Sequence, residues 1–268
     1  QDIQGFTPED CAAFYRTYYA PNNATLVVVG DVRERDLLRA VSGAYGGIPG
    51  QPIPPEDVTP EAHQPAERRL DVRKPTTSEK LLVAFKGPAL GDADHTTMSV
   101  LCEVLFGGRA SRVYRTLVVD KELAVEARAW VSTFRDPGLF ECWVTARGAH
   151  TADEIQPLLD AAFERARSEV VTDEEIARAK ARLELGSLQQ LETVGGKAEQ
   201  IGFFETVLGD PAHAFRRVEA YRRVTASDLR RVARRYLVDT SRTIVRVRPE
   251  EARPDVAAPA AAAPRAGA

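Results

Sequence analysis

Apolar residues recur three and four positions apart through "ADEIQPLLDAAFERARSEV" and "DEEIARAKARLELGSLQQL", and at every second position through "LAVEARAWVST" and "GLFECWVTAR". The first spacing predicts helices with one buried stripe, the second half-buried strands. Thr151 and Thr172 stand just before the two helices, each followed three residues later by Glu, which is the capping-box signature. The two strands are joined by "FRDPG", whose turn chemistry predicts a hairpin. Upstream, "RRLDVR" and "KLLVAFKGP" read as strands, "ADHTTMSVLCEVLFGG" as a helix ended by Gly107 and Gly108, and "ASRVYRTLVVDK" as another helix. Shorter helices are expected around "AEQIGFFETVLG", "AHAFRRVEAYRRV" and "ASDLRRVARRYL", and "RTIVRVR" is a last strand. Strands first and helices after, with antiparallel hairpins, predict an α+β fold: a layered antiparallel or mixed sheet with helices packed on it.

The first residues repeat the last. Aligned without a gap, residues 7–32 lie on residues 225–250, and Thr7, Asp10, Arg16, Tyr18, Thr25, Val27 and Val29 meet Thr225, Asp228, Arg234, Tyr236, Thr243, Val245 and Val247. Both copies open with Thr-x-x-Asp, which caps a helix and sets an acid against its first amides. Both end in a β-branched run. In the first copy the helix runs from Pro8 to about Tyr19, and "TLVVVG", apolar on both faces, is expected as a central strand. A repeat of this length is the size of a whole domain. The expected division is therefore the end of a first domain at 1–47, a Pro-rich linker at 48–65, a complete α+β domain at 66–250, and an Ala/Pro tail at 251–268 expected to be disordered.

Composition narrows the classes of function. The chain is 44% hydrophobic and 28% charged with a net charge of −3, so it has material for a core and no basic excess for nucleic acid. No run approaches the ~20 apolar residues of a membrane-spanning helix. Cys11, Cys102 and Cys142 are scattered through apolar contexts, which suits buried free thiols better than a disulfide framework. The chain opens at Gln1, so any leader would lie upstream of it.

"FYRTYYAPNNATLVVVGDV", "FKGPALGDAD", "LCEVLFGGRASRVYRTLVVDKELAVEARAWV" and "VTDEEIARAKARL", in that order, resemble the M16 metallopeptidases (pitrilysin, insulinase and mitochondrial processing peptidase), from about Phe6 to Pro249. The resemblance implies a duplicated-domain architecture, with the complete domain here being the inactive one. Chemistry in that family sits on an H-x-x-E-H helix of the preceding domain, where two imidazoles one helical turn apart converge on Zn²⁺ and the Glu acts as base. That motif is not in this chain. His63, His95, His150 and His213 lie in separate segments, with solvated or capping roles expected for all four. Placed against the family motif, "MSVLCEVLFGG" puts Ser99, Cys102 and Glu103 where the first His, the Glu and the second His would stand, so no zinc and no catalytic residue is expected here. Grouping His95 with Cys102 and Glu103 has little to support it.

The resemblance also implies a substrate-clamping Arg and a Tyr seven residues later, which some members carry. Here "LVVDKELAV" puts Val118 and Val125 at those places, both expected to pack into the apolar layer beneath the hairpin. In two-subunit bacterial members the clamp belongs to the zinc-free partner, so its loss points to a parent of the zinc-carrying type; plain divergence in an inactive homologue accounts for it as well. Gly107 and Gly108, with Arg109, Ser111 and Arg112, are candidates for presenting backbone to a peptide in the chamber; a helix end followed by a new N-cap explains them equally well. Arg-rich runs such as "DLRRVARRYL" read as solvated helix faces with stems over apolar surface. The expected function is part of a bacterial zinc endopeptidase that cleaves peptides or unfolded proteins in a clamshell chamber, this segment forming the noncatalytic wall. The alternative is a non-enzymatic, zinc-free partner subunit. Either would work with a partner half, as a homo- or heterodimer, with no nucleic acid and no membrane span. Periplasm and cytoplasm are both open.

Overall fold

Five of the expected strands pair into one sheet in the computed structural model, which describes residues 2–56 and 61–250. The expected tail at 251–268 and the middle of the expected linker lie outside the described residues. A helical turn α1 (Asp2–Gly5) and two helices, α2 (Pro8–Tyr18) and α3 (Glu34–Tyr45), come first. Then follow β1 (Arg68–Lys74), β2 (Lys80–Lys86), α4 (Ala93–Phe106) and α5 (Arg112–Tyr114), which runs on as a π-helical turn, Arg115–Asp120. The hairpin β3 (Ala124–Val131) and β4 (Leu139–Ala146) leads into α6 (Ala152–Ser168) and α7 (Asp173–Gln190). Last come α8 (Val194–Leu208), α9 (His213–Arg223), α10 (Ala226–Tyr236) and β5 (Arg242–Pro249). The strand order is β1-β5-β2-β4-β3. Only β1 and β5 run parallel; the other neighbours are antiparallel, so the sheet is mixed.

The four Thr-led caps with an acid three residues on, at Thr7, Thr151, Thr172 and Thr225, form as capping boxes, and Thr193 caps α8 without one. The period-two pattern then sorts the sheet into two faces. Leu81, Val83 and Phe85 of β2 and Phe140, Cys142 and Val144 of β4 are buried against Met98, Leu101 and Leu105 of α4 and Ile155, Leu159 and Phe163 of α6. Phe85 meets Phe163 edge to face, with ring centroids 5.1 Å apart. The opposite face is open: no residue on it is buried. One row crosses all five strands in register, Leu70–Val245–Leu82–Trp143–Arg128.

The two copies of the repeat meet different fates. In the second, Leu229, Val232 and Ala233 of α10 are buried and β5 sits between β1 and β2. In the first, α2 has no buried residue, and Phe14, Tyr15, Tyr18 and Tyr19 are exposed and stack on one another. The central strand expected at "TLVVVG" does not form: residues 24–29 join no ladder, and Leu26 is 61% exposed. A strand exists only where a neighbour takes its N–H and C=O groups, and none of the described strands lies beside this run. Cys11, expected buried, is exposed because α2 buries no residue, whereas Cys102 and Cys142 are buried. Amides of residues 24–30 are expected to exchange about 100-fold faster than those of residues 81–85. Equal protection of the two segments by hydrogen-exchange mass spectrometry in a monomer would contradict this account.

Candidate functional site

Three links from α7 hold the segment between α4 and α5. Arg112 makes a two-pronged pair with Glu175, 2.6 and 2.8 Å long, in which both side chains are largely buried. Arg178 donates to the Ala110 carbonyl at 3.4 Å, and Arg182 pairs with Glu103 at 2.9 Å. Glu175 is also the acid of the capping box at Thr172, so one carboxylate closes a helix start and anchors a loop. The Arg112 guanidinium, seconded by the Thr172 amide, outweighs the cost of burial and brings its carboxyl down to about 2. Arg112 Nη1 is left buried without a hydrogen-bond partner.

The glycines shape the same loop. Gly107 caps α4 by donating to Glu103 O at 2.8 Å, and a Cβ there would come within 2.5 Å of that carbonyl oxygen. Gly108 has φ +82°, the left-handed region that other residues rarely adopt. Its carbonyl accepts from both the amide and the hydroxyl of Ser111, which is buried. The amides of Gly107, Gly108 and Ser111 are therefore engaged within the loop. Arg109 is exposed, with no ion-pair partner among the described residues. Of the five candidates, Arg112 and Ser111 hold the loop, and Arg109 alone projects freely from it.

On α4, every position that aligns with the zinc motif is taken by a contact of this domain. Ser99 Oγ donates to the His95 carbonyl at 2.9 Å. Cys102 is 8% exposed, and burial pushes its thiol up, away from the thiolate a metal needs. Glu103 is committed to Arg182. The described residues contain no group of three His, Cys, Asp or Glu placed to hold a metal ion, so they do not fit zinc.

The first turn of the same helix carries a latch that the sequence did not reveal. Asp94, 6% exposed, receives Arg231 at 2.7 Å, Arg235 at 2.8 Å and the Tyr236 hydroxyl at 3.2 Å, which ties α4 to α10. The hydrogen bond from Arg231 holds its carboxyl below the usual range. The arginines of "DLRRVARRYL" are thus not merely solvated. His95, expected at the surface or in a cap, is 5% exposed, and its Nε2 lies 3.1 Å from the Ser132 carbonyl. Burial holds the imidazole below its ordinary range, and the ring links α4 to Ser132 just past β3. His213 lies against the Phe204 ring, centroids 4.8 Å apart, half-buried. His150 meets Glu154 at the start of α6, and His63 is exposed.

Val118 and Val125 separate. Val118 is half-buried against the core, but Val125 is 52% exposed. A register shift between Ala124 and Glu126 marks a bulge, which turns Val125 out of the alternation that would have buried it. The surface hollow lined by Asp160, Glu164, Arg167, Asp239 and Arg242 has its charges paired within the domain, Arg242 with Asp160 at 2.6 Å among them.

A five-stranded mixed sheet backed by helices on one face makes this an α+β domain. The chain belongs to the M16 peptidase family: residues 5–183 match the family model described as the peptidase M16 inactive domain. It is 27% identical over 238 residues to an uncharacterized zinc protease of Streptomyces coelicolor, covering 87% of this chain and 51% of that protein. It is 24% identical over 266 residues to a probable mitochondrial-processing peptidase subunit beta of Arabidopsis thaliana, covering 93% and 48%. The crystal structure of a protease from Helicobacter pylori shares its fold, with a TM-score of 0.83 at 24% identity, over 92% of this chain and 60% of that one. The chain spans about half the length of the curated relatives it matches.

Proposed function

We propose that this chain supplies the noncatalytic wall of an M16 zinc endopeptidase that cleaves peptides or unfolded proteins. Helix α4 carries the reading: Ser99, Cys102 and Glu103 stand in the places of the zinc motif, and each serves this domain's own packing. No step of peptide hydrolysis is therefore assigned to residues of this chain. The zinc, with the water it activates, belongs to a helix of the preceding domain. Residues 1–47 close that domain, 48–65 cross to the next, and 66–250 form the wall. The exposed aromatics of α2 and the unpaired run at 24–29 support this division, because they form an apolar surface prepared for strands and helices of the same polypeptide.

A partner half completes the chamber. The Arabidopsis relative is named as a subunit, which supports pairing, and Val118 and Val125 offer no donor to hold a substrate backbone. The clamp then comes from the opposite half, and Arg109 with the loop at 107–112 faces the chamber from this one. The test is cleavage of a quenched fluorogenic unfolded peptide by the zinc-loaded polypeptide that contains this segment, with and without its partner. Cleavage that a chelator abolishes supports the enzyme reading. If that polypeptide is inert but stimulates a zinc-bearing partner, the chain is a non-enzymatic subunit.

A further inference from the structure

Both tryptophans of the chain sit side by side on the open face of the sheet. Trp130 of β3 and Trp143 of β4 stack with ring centroids 5.8 Å apart and planes 28° from parallel. The Arg128 guanidinium lies 6.0 Å from each ring. Trp130 is 38% exposed, and the in-register row continues the apolar surface through Leu82 and Val245 to Leu70, which is 56% exposed. Tryptophan and arginine are the residue types that dominate binding energy at interfaces, because they bring large area and a polar or cationic handle together.

The charges on this face decide what covers it. Lys80 and Lys86 flank the apolar centre of β2 on the same side as Leu82, where the core of a permanent interface would be depleted of lysine. Arg68, Lys74, Lys80, Lys86 and Arg128 stand on this face against Glu126, Glu141 and Glu61, the last paired with Lys86, in a chain whose net charge is −3. Glu126 lies 3.4 Å from Arg128, and Glu141 accepts from the Trp143 indole at 3.5 Å, so both acids are engaged locally. The local excess is cationic and the apolar rows are interrupted by charge, which suits a transient, acidic and partly apolar occupant.

We propose that the Trp130–Trp143–Arg128 platform binds extended polypeptide segments in which acidic residues alternate with aromatic or aliphatic ones. This rests on the reading of the chain as the wall of a peptidase chamber, and it names the peptide class that the wall selects. The rings take apolar side chains, while Arg128, on its exposed side, and Lys80 attract the carboxylates.

Because no other tryptophan exists in the chain, its intrinsic fluorescence reports on this platform. The full chain is titrated at low salt with a capped peptide alternating Glu with Leu and Phe, and with the same peptide carrying Lys for Glu. The acidic peptide is expected to shift emission to the blue with saturation in the range of about 10–500 µM, and the Lys peptide at least about fivefold more weakly. Arg128→Glu, and Trp130→Ala with Trp143 left as reporter, should each weaken binding about fivefold or more while circular dichroism stays unchanged. No shift, equal response to the two peptides, or full affinity in folded Arg128→Glu would overturn the proposal. A blue shift that follows protein concentration without peptide would overturn it too, by naming a second copy as the occupant. Binding here needs no zinc, so its failure alongside chelator-sensitive cleavage by the whole polypeptide would sink the platform alone.

Discussion

Replacing Phe85 with Ala is expected to lower the unfolding free energy by about 3–5 kcal/mol, the usual cost of emptying a filled aromatic site. Phe85 is fully buried, with Phe163 edge-on at 5.1 Å and Phe140 at 6.3 Å, so the cavity would open between the sheet and α6. Close-packed rings from two strands and a helix leave little room for collapse into that space. The melting temperature should fall by roughly 10 °C, given about 2–4 °C per kcal/mol for a domain of this size. Urea unfolding followed by far-ultraviolet circular dichroism checks this, and a loss below about 1 kcal/mol would mean that the aromatic cluster is not the centre of the core.

The second large effect lies at the candidate loop. Glu175→Gln keeps a side chain able to cap α7 at Thr172 but removes the charge that meets Arg112. An arginine that is only 14% exposed is then left without its counterion, and about 2–3 kcal/mol of stability should be lost at neutral pH. The pH dependence separates this from a loss of packing. Folding depresses the Glu175 carboxyl from an ordinary 4.5 to about 2, so its contribution is complete above pH 4.5 and disappears as pH falls toward 2. The gap between the natural protein and the variant should therefore narrow across that window, read from urea midpoints at each pH. A gap that stays constant from pH 7 to pH 2 would show that the ion pair is not its source.

Much of the architecture was legible before the structure. The Thr-led boxes at Thr151 and Thr172 mark helix starts that form as expected, and period-two alternation with "FRDPG" locates the β3–β4 hairpin. The limits of such reading are physical. Residues 7–32 and 225–250 carry the same cap and the same β-branched run, yet only the second ends in a strand. Strand formation depends on a neighbour to accept its hydrogen bonds, and a local pattern holds no information about that neighbour. Val125 was misplaced because one bulge breaks the alternation between it and Ala127, which alone of the two faces the core. Asp94 and His95 gave no local sign of burial, since their partners come from α10 and from Ser132, far along the chain.

The candidate site was legible only in part. "GGRASR" drew attention to the right loop, and Gly107 and Gly108 are there for the close approach and the positive φ that the turn requires. That Arg112 is a strut rather than a free contact follows only from Glu175, 63 residues further on. The alternation along β3 puts Arg128 and Trp130 on one face, but that Trp143 of β4 joins them follows only from the register of the two strands.

The central proposal is that this chain is part of a zinc peptidase yet holds no zinc of its own. Metal analysis of the full chain, stripped with chelator, reloaded with zinc and passed through a desalting column, tests it most directly. The account predicts far less than one zinc per chain and no cleavage of an unfolded peptide by the same sample, because Ser99, Cys102 and Glu103 serve packing and no other cluster of ligands stands among the described residues. One tightly held zinc per chain, retained through the column, would contradict it.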